Sequence, residues 1–404
     1  MWEFDLEVVM SKYFLTGLAV LLMAGVAVAD GDISRRFEMK PGQTLEVDLR
    51  SGGGIEVAGW DKEEIQIDIF LDRSSERYCD FEFDERSSGL RIISDCRRHH
   101  GSTNIDVEIR LPRKCQLELE TAGGGIRVEN IEGEIQGHSA GGGLHLEDIK
   151  GTAFMNTAGG GITCRRVQAE VELTTAGGGI VCRDSHLDGY VKTAGGGIEF
   201  MNVGGSVRAK TAGGSIQYTY DERRSDNEAG KIEDEIRLTT MGGSIDVDYA
   251  PHGASVETNG GSIEINRAAG YVKAGTLGGN IYINEIDGWV KASTNGGDIE
   301  VTVTGAPDDG EHNVDISSLG GDIELTVPKN FSMDVDIALA YTRNSHGGYK
   351  IYSDFEITQD ESSRWDRSEG TPRKYIYGEG KINGGKNRVR IATINGDIYI
   401  KEGR

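Results

Sequence analysis

Four residues offer chemistry at a telling spacing. Tyr271 and Lys273, in Gly-Tyr-Val-Lys, recur 18 residues later as Trp289 and Lys291, in Gly-Trp-Val-Lys. Tyr190 and Lys192 give a related copy, shifted two residues in register. Aromatic rings beside cations on a flat sheet suit the docking of a sugar ring or a peptide. The same pairs also read as a ladder of stacked aromatics that only stabilises a sheet surface. A second pattern is acidic. Asp246, Glu264, Glu300 and Glu324 share one phase, and Tyr282 breaks the run. Stacked like charges repel unless they are paired or bridged, so Asp246 and Glu264 are candidate ligands for a cation such as Ca2+. A solvated acidic stripe is the plainer reading. The Gly-Gly-x-Gly-x-Asp calcium repeat of other stacked-coil proteins is not present. His99-His100 near Cys96 read as loop residues, since no paired His spacing accompanies them.

A repeat must position these side chains. The phrase is Thr/Ser, a small or polar residue, Gly-Gly, a small residue, then Ile. It places Ile at 126, 162, 180, 198, 216, 245, 263, 281, 299 and 323, with Leu144 in the same slot. Eight of the ten intervals are 18, and the two exceptions, 29 and 24, are one period plus an insertion. A fixed period of this size means stacked coils, each unable to bury its apolar face alone. Numbered from the Thr, slots 6 and 8 are apolar and slot 7 is mostly polar, the alternation of a half-buried strand. Slots 11 and 15 are often apolar, and Gly often stands two residues before slot 15. Each coil is therefore expected to hold at least two short strands, with glycine at the corners. The Thr/Ser column is expected to hydrogen-bond along the stack. Gly is 59 of 404 residues, and three in a row would cost a helix about 1 kcal/mol each. At the strand spacing the stack is roughly 50 Å long. The fold expected is all-β, a parallel β-helix or β-solenoid of 18-residue coils with β capping regions at both ends. Its form is right-handed or an irregular two-sheet coil, because the hexad of left-handed β-helices fails.

Residues 1–29 read as a signal peptide. Met10-Ser-Lys12 is a basic start, Phe14 to Val26 a short apolar run, and Ala27-Val28-Ala29 a small-residue cleavage site. The acidic stretch before Met10 leaves Met1 and Met10 both open as the start. The protein is expected to be exported, whether periplasmic, at the cell surface or secreted, with no stable membrane insertion after cleavage. Net charge is −23, and loss of Glu3, Asp5, Glu7 and Lys12 makes it −21. Such a chain does not bind nucleic acid by a general electrostatic route. Five cysteines remain, an odd number for an oxidising compartment. Cys79 and Cys96 flank a hairpin-like segment and form the candidate disulfide. Cys164 and Cys182 share a slot in adjacent coils and read as small buried fillers. The organisation expected is 30–120 as an N-terminal β capping region, 121–327 as the regular stack, and 328–404 as a C-terminal β capping region. A charged insertion falls near Tyr218 to Arg237, and a second, near Gly305 to Asn313, contains Pro307-Asp-Asp-Gly310 and reads as a turn.

Several motifs together resemble one family. They are the export signal, Phe37-x-x-x-Pro41-Gly, then Gly-Gly-Ile-x-Val-x-Gly-Trp60, the Gly-Gly-Asp/Ser-Ile repeats, and a closing Thr393-Ile-Asn-Gly-Asp-Ile398. These are similar to the DUF4097 family of β-strand-repeat proteins, whose members are provisionally named adhesins. The resemblance spans nearly all of the mature chain. It implies a β-solenoid in the envelope or outside the cell, and it brings no reaction and no catalytic residues. The function expected is an exported non-enzymatic binding scaffold, adhesin-like, for glycans or cell-envelope partners. The ligand-binding candidates are Tyr271, Trp289, Lys273, Lys291 and Tyr190. Other readings are a polysaccharide-active β-helix enzyme, lyase or hydrolase, and a purely structural envelope protein. Paired carboxylates would carry the former, and contacts at the coil ends the latter.

Overall fold

The computed structural model describes residues 32–96, 104–220, 234–305, 310–345, 348–368 and 370–403. The leader at 1–29, the His99-His100 pair, 221–233 of the first insertion and 306–309 of the second lie outside the described residues. The described chain is nearly all β. Its 29 strands join in one mixed hydrogen-bonded sheet, and a single short helix spans Arg73–Tyr78.

The 18-residue period becomes parallel pairing in register. The strands Ile126–Ser139, Leu144–Thr157, Ile162–Thr175 and Ile180–Thr193 lie side by side. Leu144 pairs with Ile126 and with Ile162, and Ile162 with Ile180. Each coil therefore returns to the same place one strand further along. The two insertions leave this undisturbed: Ile216 still pairs with Ile245, and Ile299 with Ile323. Every Ile or Leu of slot 6 from 126 to 323 is buried, as are the slot 8 residues. A further interior column at slot 17, including Met155, Leu173, Val191, Leu238 and Val256, has no counterpart in the sequence reading. Met155 fills the space opened by Gly137, whose added Cβ would lie 2.6 Å from its sulfur.

The corners explain the phrase. A Cβ on the middle glycine would stand inside the neighbouring coil's backbone: at Gly178 it would be 2.2 Å from the Gly160 carbonyl oxygen. The Thr hydroxyl ties the same two glycines together. Thr175 donates to the Gly160 carbonyl at 2.7 Å and accepts from the Gly178 N–H at 3.2 Å. Thr193, Thr211, Thr240 and Thr258 repeat this arrangement. The Thr column thus bonds to corner backbone and not from hydroxyl to hydroxyl, because the glycine carbonyl reaches the hydroxyl first. In the second half a side-chain ladder takes over slot 5. Asp298 accepts from the Asp322 N–H at 2.8 Å, and Asp322 from the Asp397 N–H at 2.7 Å. The other corner, at slot 10, is left-handed without glycine. Asn130, Asp148, Arg166, Asp184 and Asn202 sit at φ between 49° and 57°, a conformation that Asn and Asp tolerate best.

Both ends depart from a simple cap. The early Gly-Gly-Gly-Ile55 phrase forms a coil of the stack, with Ile55 paired to Ile126 and Thr121 donating to the Gly53 carbonyl at 2.8 Å. A further layer, Gly89–Cys96 and Ile105–Pro112, lies outside it in parallel pairing, although it comes later in the chain. At the far end the closing phrase is also internal. Ile323 pairs with Ile398, and Asn387–Ile394 lies between Val314–Ser318 and Met333–Thr342. The outermost layers there are Ile351–Ser353 on one side and the antiparallel strands Arg373–Ile382 and Thr358–Glu361 on the other. The closing segment is therefore an inner layer of the region 328–404 and not its outer cap. Its Ile and Val columns need an apolar layer on each side, and the segment before it in sequence supplies the outer one. The stretch 345–370 carries two of these short strands.

Candidate functional site: outward columns of the stack

Parallel register stacks every outward slot into a column along the coils. Tyr271 pairs with Trp289, and Lys273 with Lys291. The two rings lie face to face, centroids 4.9 Å apart and tilted by 13°. The other face of Tyr271 lies against Gly253, where an added Cβ would be 2.4 Å from the ring carbons. Both ring faces of Tyr271 are thus in use, and the pair turns ring edges outward beside the exposed ammonium groups of Lys273 and Lys291. The column stabilises the sheet and presents one aromatic rim beside cations.

Tyr190 does not join this pair. Its register partners are Glu172 and Arg208, in the column that later carries Lys273 and Lys291. Lys192 stands 4.4 Å over its ring, and the Arg208 guanidinium lies 5.5 Å from the ring centre and donates to the phenol oxygen at 3.1 Å. The cations belong to the ring.

On the other strand segment Asp246 and Glu264 are register neighbours. Burial raises the Asp246 carboxyl above the ordinary range, and the Glu264 and Asp248 charges add to this. Two adjoining carboxylates are the available donors at that point. A closer group of three donors occurs elsewhere, at Glu129, His145 and Glu147. Arginines already hold it: Arg127 pairs with Glu129, and Arg166 reaches Glu147 at 2.6 Å and Asp148 at 2.7 Å. The hydrogen bond from Arg166 keeps the carboxyls of Glu147 and Asp148 below their usual range. Next to it, where the first coils meet, is a cleft of about 600 Å³ lined by Glu56, Asp106, Glu108, Arg127 and His145.

Cys79 and Cys96 face each other across an antiparallel hairpin and form a disulfide, S–S 2.05 Å. Cys164 and Cys182 are free, buried and in register, and contact between them together with burial raises the Cys182 thiol. Burial pushes the Cys115 thiol up to about 12. Sequence reasoning missed the aromatics near the C-terminus. Tyr352 stacks on Tyr399 at 4.9 Å, Tyr375 on Tyr377 at 5.6 Å, and Tyr341 meets the Trp365 ring edge-on. The alternation Tyr375-Ile-Tyr377 was the available signal, since residues two apart share a strand face.

No protein-family model matches this sequence, and no curated protein matches it. Solved structures similar to it include a provisionally named cell adhesion protein from Clostridium sporogenes. That match has 9% identity over 92% of this chain and 99% of the other, at a TM-score of 0.17. A provisionally named adhesin from Parabacteroides distasonis has 14% identity over 71% of this chain and 98% of its own, at 0.32. Another from Bacteroides fragilis has 12% identity over 92% and 96%, at 0.18. At these TM-scores the likenesses carry no argument about function. No helix among the described residues is long and apolar enough to cross a membrane.

Proposed function

We propose that this chain is an exported β-solenoid that works as a non-enzymatic recognition scaffold, adhesin-like in role, for a repetitive partner in the cell envelope. One observation carries the reading. Outward side chains are held in register on successive strands, so each column presents a side chain about every 4.8 Å, and neighbours such as Lys273 and Lys291 or Tyr271 and Trp289 repeat their chemistry at that pitch. A surface that repeats at fixed pitch fits a partner that also repeats, such as an extended glycan. The rim of Tyr271 and Trp289 beside Lys273 and Lys291 is a place on it where a stacked aromatic pair and two register-paired lysines share one strand segment. The Cys79–Cys96 disulfide suits an oxidising compartment, periplasmic or outside the cell.

The test is a binding screen of the chain from Asp30 onward against envelope polysaccharides and isolated envelope fractions. It runs beside Tyr271→Ala/Trp289→Ala and Lys273→Ala/Lys291→Ala variants. The reading expects saturable binding by the parent that both variants weaken. Equal binding by all three would remove the rim from the account. No binding by a folded parent would overturn the scaffold reading.

A further inference from the structure

We propose that copies of this chain associate side by side, the basic column of one lying against the acidic column of the next. The basic column is Arg208, Arg237, Ser255, Lys273 and Lys291, each the register partner of the one before. The acidic column is Asp246, Glu264, Tyr282, Glu300 and Glu324, joined in the same way. Each crosses five consecutive coils. Each has the same rhythm: two charges, one neutral hydroxyl, two charges. Both advance one strand per step, about 4.8 Å, so they share a pitch.

A shift of two coils between parallel copies matches them completely. Arg208 then faces Asp246, Arg237 faces Glu264, Ser255 faces Tyr282, Lys273 faces Glu300, and Lys291 faces Glu324. The neutral positions coincide, and their hydroxyls can bond to each other. A polyanion of uniform charge repeat gives no reason for the basic column to skip its third step; the acidic column does. Within the chain Arg208 donates to the Tyr190 phenol oxygen at 3.1 Å, Arg237 meets Glu235, Lys291 lies 3.9 Å from Asp315, and Glu324 lies 2.6 Å from Lys401. Exposed pairs of this kind exchange readily. The two columns stand on different strand segments of the coil, so the contact is heterologous and propagates into a row or a ring.

Net charge sets the condition for seeing it. At −21 from Asp30 onward the copies repel at a distance. Near 0.1 M salt the screening length is about 10 Å, which removes most of that repulsion and leaves contact pairs; at 1 M it is about 3 Å, and the contact pairs weaken too. Association is therefore expected to peak at intermediate salt. The inference does not rest on the glycan reading above.

The experiment is sedimentation velocity on the chain from Asp30 onward, which contains every described element, with circular dichroism as the folding control. The parent is expected to associate reversibly near 0.1 M salt. Lys273→Glu/Lys291→Glu and Glu300→Lys/Glu324→Lys, each alone, should weaken association at least about tenfold. An equal mixture of the two variants should associate again, since every contact in an alternating row is then complementary. A monomeric parent at all salt concentrations overturns the proposal. So do single reversals that associate like the parent, and so does a mixture of folded variants that stays monomeric. Polygalacturonate is the polyanion probe: capture by the basic column of a parent that remains monomeric also overturns it.

Discussion

The corner glycines divide by what faces them, and this makes a sharp comparison. At Gly178 the Gly160 carbonyl occupies the place of a Cβ, whereas at Gly123 nothing lies within 4 Å. Gly178→Ala is expected to lower stability by about 1–3 kcal/mol, since backbone must move to admit it. Gly123→Ala should stay within about 0.5 kcal/mol. Denaturant unfolding of both variants checks this. Asp246 supplies a pH test. Its folded pKa is raised, first by burial and then by Glu264 and Asp248. The folded state therefore holds this proton to higher pH than the unfolded state. Stability is full below the ordinary carboxylate pKa and falls as pH rises through the raised value. Asp246→Asn removes that loss, so it should stabilise the protein at pH 7 and leave it unchanged in strong acid. A destabilised variant at pH 7 would mean that the carboxylate is paired with a cation. The residue scale was partly legible from sequence. The Thr-x-Gly-Gly phrase announced its importance, but its reason did not, because the acceptor for the Thr hydroxyl lies across a coil boundary, 15 residues earlier in the regular coils and 26 earlier for Thr240.

Strand pairs convert that local chemistry into faces. Tyr271 and Trp289 touch only because their strands run parallel in register. A double-mutant cycle on Tyr271→Ala and Trp289→Ala should give a coupling of about 0.5–1.5 kcal/mol. A coupling near zero would deny the face-to-face contact. The period of 18 made the in-register pairing readable in advance, since identical slots must then meet. Tyr190 shows the limit of motif reading. Gly-Tyr-Val-Lys looks the same at 189–192 and 270–273, yet the two-residue shift puts Tyr190 in another column, between Glu172 and Arg208. The ends were the least legible elements. Short, aperiodic segments such as Ile351–Ser353 and Thr358–Glu361 carry no repeat signal; buried Ile351 fills the apolar layer beside the last coil, and the exposed Thr358–Glu361 is placed by antiparallel pairing with Arg373–Ile382. Coils inserted out of chain order, as Ile55 and Ile398 are, leave no trace in spacing. They hold each end between strands from two parts of the chain, and at the far end the antiparallel strands Arg373–Ile382 and Thr358–Glu361 cover one side of the open edge.

At the scale of the whole molecule, the proposed function rests on the side faces. A stack with both ends covered offers long lateral surfaces patterned by column: cations and an aromatic rim on one strand segment, carboxylates on another. This separates recognition along the side from an envelope spacer joined at its coil ends. Hydrogen–deuterium exchange on the chain from Asp30 onward, with and without saturating envelope material, tests it most directly. Because exchange reads backbone amides, the result is a map along the stack. The account predicts protection that crosses consecutive coils on one face, including 271–273 and 289–291, with the outer strands at 351–353 and 358–361 unchanged. Protection confined to those end strands and to 89–96 would contradict it.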